Sequence, residues 1–221
     1  MKRLLFIMMA LASLSASAQV ELKTEGQDTA YVKTIVNRSQ KIVDGLGIAD
    51  AAKAESVRNI IANRYFLLNQ IHGQYEQTQK FVKDSVEEKG RREHILQNAA
   101  NRRDAELYKH HYELETALGN YLDAAGIEAV KDGMTYGRVQ RDYKAQLEMI
   151  PTLTEEEKAQ VLAWLKEARE FAMDASTSKA KHAWFDKYRG RTNNWLSARG
   201  YDLKKERENW QKRIEEAKAK K

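Results

Sequence analysis

A single proline, Pro151, and an apolar residue every third or fourth position along most of 221 residues leave this chain few ways to fold. Runs of β-branched residues with period two are absent, so the pattern reads as all-α. Val32, Ile35, Val36, Ile42, Val43 and Leu46 form one stripe, which Gly45 and Gly47 end. Asp50 stands as an N-cap before the next stripe, where Val57, Ile60, Ile61, Tyr65, Leu68 and Ile71 share a face. Periodicity weakens through Tyr75, Val82 and Val86 towards Gly90, with Gly73 as a place to break. Leu96, Ala100, Arg103, Leu107, His111, Leu114, Leu118 and Tyr121 then recur with near-heptad spacing. The two long stretches predict an antiparallel helical hairpin whose polar tip is Glu87 to Arg92.

A cluster of shorter helices is expected after Gly126. Lys131 to Gly137, with two glycines four apart, reads as a turn. A helix follows to Ile150 and stops at Pro151. Thr154 and Glu157 form a capping box for the next helix, with Glu155 and Glu156 in its first turn. Its buried face reads Val161, Trp164, Leu165, Ala168, Phe171 and Ala172. Short helices are expected over His182 to Tyr188 and Thr192 to Ala198. A last one starts at Asp202, and roughly its final ten residues read as a basic fraying tail.

Lys2 and Arg3, an apolar run from Leu4 to Leu14 and the small-x-small Ala16-Ser17-Ala18 predict a cleaved signal peptide over residues 1–18. The run is too short to cross about 30 Å of hydrocarbon. Residues 19–221 are then expected to form one all-helical domain, periplasmic or secreted. The chain has no cysteine, hence no disulfide and no residue to carry a lipoprotein anchor. Cleavage lowers the formal charge from +6 to +4.

No nucleophile elbow, zinc-protease helix, phosphate loop or dinucleotide fingerprint is present, and no metal or cofactor is expected. His111 and Glu115 are one helical turn apart, but two ligands make no metal site. The C-terminal third stands out. It holds all four tryptophans (Trp164, Trp184, Trp195, Trp210), and Lys181 to Arg207 carries eight basic against three acidic residues. Two readings fit this mixture. One is core closure by short helices, with arginine stems lying over rings. The other is a ligand surface of His182, Trp184, Tyr188, Arg189, Arg191 and Asn194, with Tyr136 nearby. Rings would stack on a pyranose, arginines would fork a carboxylate and amides would read hydroxyls. Nucleic acid suits the same chemistry, but export argues against it. An enzyme reading would need Asp132, Glu170 or Asp186 to converge, among themselves or with His182.

Lys131 to Gly137, Leu153 to Gln160, Glu167 to Ala175, Lys181 to Phe185, Asn193-Asn194 and Gly200 to Leu203, in that order, resemble the domain of unknown function 3826 family. The likeness runs from about Tyr31 to Trp210. It implies an exported protein of Bacteroidetes-like Gram-negative bacteria, with no catalytic residue to transfer. The family's genes often lie near polysaccharide-degradation genes. The resemblance therefore implies an accessory binding protein whose partner is an acidic glycan or a glycan-processing protein. A thinner likeness, at Leu153-Thr154, is to helix starts of Spy-type periplasmic chaperones, and a glycan-active enzyme is the third reading.

Overall fold

The computed structural model describes residues 19–219, and the expected signal peptide lies outside them. The helices are α1 (Thr29–Asp44), α2 (Ala51–Ser85), α3 (Lys89–His110), α4 (Glu113–Leu118), α5 (Ala124–Met134), α6 (Arg138–Met149), α7 (Glu155–Met173), α8 (Ser178–Ala198) and α9 (Leu203–Ala219). No strand interrupts them among the described residues. None of these helices is long and apolar enough to cross a membrane.

Short polar side chains start most of them. Asp28, Asp50, Asp123 and Thr177 accept from the free backbone N–H groups of α1, α2, α5 and α8. At α7, Thr154 Oγ1 accepts from Glu157 N at 3.2 Å and Glu157 Oε2 accepts from Thr154 N at 2.9 Å, which closes the capping box. Thr154→Ala is expected to lower stability by about 0.5–2 kcal/mol in urea denaturation. An unchanged midpoint would remove Thr154 from that role.

α2 and α3 run antiparallel: Tyr75 of α2 faces Arg103 of α3, while Arg64, earlier in α2, reaches the His110 carbonyl at the end of α3. α2 passes through Gly73 without a break. Beyond Ile71 it buries only Val82, and α3 buries no residue. The near-heptad stripe does not form one helix to Tyr121. It breaks at His111 and Tyr112, because Arg64 Nη1 donates to the His110 carbonyl at 2.7 Å and His111 turns to Asp174.

Three apolar clusters follow one another along the chain. The first joins α1, α2, α4 and α5 around Ile35, Val57, Ile61, Phe66, Leu118 and Val130. The second joins α6, α7 and α8 around Val139, Leu165, Ala168 and Phe185. The third holds Met149, Ile150, Leu153 and Leu196 under Trp195 and Trp210. Gly133 is helical rather than part of a turn. A Cβ there would come within 2.9 Å of Ile42, so glycine lets α5 lie close against α1.

One further expectation fails in this region. α8 is one continuous helix through Gly190, not two short ones. α9 is helical over Leu203–Ala219.

Candidate functional site

The seven residues read from sequence as a ligand surface do not share one face. With about 100° per residue, α8 buries Lys181, Phe185, Tyr188, Thr192 and Leu196. That sends His182 and Arg189 to one flank, Trp184 and Arg191 to the other, and leaves Asn194 exposed between them.

On the α7 flank, Trp184 stacks on Phe171 with centroids 4.6 Å apart and planes 17° from parallel. Phe171 was expected on the core face of α7, yet it keeps 46 % of its surface exposed. Lys187 lies 4.8 Å over the Trp184 ring. Arg191 lies over both Tyr188 (5.1 Å) and Trp164 (5.6 Å). Trp164 meets Trp195 edge-on at 5.2 Å, and Arg199 covers Trp195 at 4.4 Å. Rings and cations thus alternate along the groove between α7 and α8. All four tryptophans are half-buried rather than sealed in the core. Most of the arginines are already matched: Arg191 with Glu167, Arg199 with Glu156 and Glu157, Arg189 with Asp186. Among the described residues Lys187 has no carboxylate within ion-pair distance.

At the other flank Tyr136 and His182 pair with centroids 5.4 Å apart. Arg138 Nη1 donates to His182 Nδ1 at 3.1 Å, and its guanidinium also holds Asp142. Tyr136 ends α5 in an unusual way. Gly137 N donates to the Asp132 carbonyl (2.8 Å) and Tyr136 N to the Gly133 carbonyl (3.4 Å), the paired bonds of a Schellman end. The residue at the Tyr136 position of that motif takes a left-handed conformation and is usually glycine. Tyr136 sits there at φ +62°, a conformation that costs an L-residue about 1–2 kcal/mol. The residue remains 45 % exposed.

The carboxylates of the enzyme reading are engaged elsewhere. Asp132 and Glu170 do meet, but around Arg169, which donates to Asp132 Oδ1 (2.8 Å), Glu128 Oε1 (2.7 Å) and Glu170 Oε1 (3.3 Å). Lys131 bridges Glu170 and Glu115. Asp186 lies on the opposite flank of α8, against Arg189 and Arg138. His111 Nδ1 donates to Asp174 Oδ2 at 2.7 Å, and that bond raises the imidazole's pKa above its ordinary value. His111 and Glu115 therefore have different partners. Among the described residues no group of three metal-ligating side chains gathers.

This ion network was not legible as a unit. Its members come from α2, α4, α5 and α7 and from Asp174, and they join the first apolar cluster to the second. Burial would push the Glu128 carboxyl up, but Arg169 and Lys166 hold it below its ordinary value. Burial likewise opposes the Lys131 charge, which Glu115 and Glu170 more than restore.

No curated protein matches the chain. Residues 32–216 match the family described as protein of unknown function DUF3826. That match spans most of the sequence, from within α1 to within α9, so the chain belongs to the DUF3826 family.

Proposed function

We propose that this chain is an exported accessory protein that holds acidic carbohydrate on the groove between α7 and α8. The observation that carries the reading is the Phe171–Trp184 stack, half open to solvent, with the unpaired Lys187 beside it. Flat aromatic surface accepts the C–H face of a pyranose, and an unmatched ammonium supplies the charge a uronate needs. The paired arginines of the same groove, Arg191 and Arg199, serve mainly to fix the rings. Export fits the basic-apolar-small pattern of residues 1–18.

The test is titration with oligogalacturonides and with uncharged oligosaccharides of equal length, followed by calorimetry. Trp184→Ala and Lys187→Ala should each weaken acidic-glycan binding about tenfold, about 1.4 kcal/mol. Rising ionic strength should weaken it further, since exposed charges are screened over about 8 Å in physiological salt. A wild-type protein that ignores millimolar oligogalacturonide would end this reading. Suppressed aggregation of an unfolded client in the same preparation would then favour the chaperone reading, and shortening of the glycan would favour the enzyme reading.

A further inference from the structure

A second site lies on the far side of Tyr136 and does not depend on the α7/α8 groove. The close α1–α5 approach at Gly133 leaves a depression of about 420 Å³ beside it. Ile42, Leu46 and Ala129 floor this depression, Arg38 and Lys41 of α1 rim it, and Tyr65 and Tyr136 close it. Neither Arg38 nor Lys41 has a carboxylate within ion-pair distance among the described residues. The Arg38 guanidinium lies 5.5 Å over the Tyr65 ring instead. Lys181, buried behind the same ring at 5.4 Å, also lacks a carboxylate partner.

We infer that the depression formed by Arg38, Lys41, Tyr65 and Tyr136 is a binding site for a small hydroxylated carboxylate of the sugar-acid class. The two cations, neither paired with an acid among the described residues, match one carboxylate. The phenols match hydroxyls, and the aliphatic floor matches the face of a ring. Burial pushes the Tyr65 hydroxyl up to about 12, so it remains protonated and able to donate at any physiological pH. Tyr136 adds an independent pointer. Its backbone position favours glycine, yet a half-exposed aromatic side chain occupies it at the edge of this depression. Strain kept where a smaller residue would relieve it marks a side chain used for something other than folding.

The experiment follows the aromatic resonances of Tyr65 and Tyr136 by NMR during titration with galacturonate, galactose and inorganic phosphate. Galacturonate should shift both residues saturably, while galactose should not. Arg38→Gln and Lys41→Gln should each weaken galacturonate binding about tenfold. Both positions are exposed on α1, so the fold should survive. Tyr136→Gly should keep or raise the melting temperature while weakening galacturonate binding, a combination that a purely structural tyrosine cannot give. Trp184→Ala should leave monomer binding here unchanged, which separates this site from the α7/α8 groove. Phosphate binding without galacturonate binding overturns the carboxylate assignment. No response to galacturonate, or an Arg38→Gln/Lys41→Gln protein that binds as wild type, overturns the site.

Discussion

Arg169→Ala is expected to cost about 3–5 kcal/mol of folding stability, one of the largest losses available to a single substitution in this chain. Arg169 is 2 % exposed and carries hydrogen bonds to Asp132, Glu128 and Glu170 at once. Removing it leaves Asp132 facing a low-dielectric junction without its counter-charge, and a buried unmatched carboxylate costs several kcal/mol. Glu128 keeps Lys166, and Glu170 keeps Lys131, which holds the loss within that range. The effect is electrostatic more than volumetric, and this is checkable. Arg169→Met restores most of the lost volume and should remain nearly as destabilised. Adding Asp132→Asn and Glu128→Gln to Arg169→Met should recover a large part of the stability in urea denaturation. If Arg169→Met alone were as stable as wild type, the α5–α7 junction would be held by packing and not by charge.

That junction also shows where reading the sequence reached its limit. The buried face read from the sequence of α7 takes in Phe171 and leaves out Arg169. The structure does the reverse, because three acids from α5 and α7 surround the guanidinium while Phe171 moves to the edge to stack on Trp184. The sequence pattern splits α8 in two for a related reason. Of its five buried positions, Lys181 and Thr192 are polar, so the stripe that would have carried the helix through Gly190 was hidden. The α3–α4 break could not be seen, since the residue that takes the His110 carbonyl is Arg64, 46 positions earlier. Local signals did transfer. Asp50 caps α2, Thr154 and Glu157 close their capping box, and α6 stops at Met149 with only Ile150 between it and Pro151. Of the residues read as a ligand surface, Tyr136 and His182 lie side by side, with ring centroids 5.4 Å apart. The sequence held no sign that Arg38 and Lys41 line one depression with Tyr136, because it forms where Gly133 lets α1 and α5 close up.

Lys181→Met is expected to stabilise the protein by about 2 kcal/mol at neutral pH. Lys181 is 4 % exposed, donates to the Met134 carbonyl at 3.1 Å and, among the described residues, has no carboxylate within ion-pair distance. Burial lowers its ammonium from 10.5 to about 8, and the nearby Arg38 and Arg64 push the same way while Asp174 opposes them. A drop of that size corresponds to about 3 kcal/mol, since one unit is about 1.4 kcal/mol. Losing the bond to Met134 O returns about 1 kcal/mol. The sign follows from proton binding. Below pH 8 both folded and unfolded chains carry the charge, and the folded chain bears the full penalty. Between pH 8 and 10.5 the folded chain sheds the proton first, so the wild type gains stability as pH rises. The advantage of Lys181→Met should therefore be complete at pH 7 and shrink steadily towards pH 10.5, as read by urea midpoints across that range. A pH-independent difference would mean that packing, not charge, separates the two proteins. An anion seated beside Arg38 would raise the Lys181 pKa again and stabilise the wild type more than the variant. Adding galacturonate at pH 7 should thus narrow the gap between them, and it should do so only while Arg38 is present.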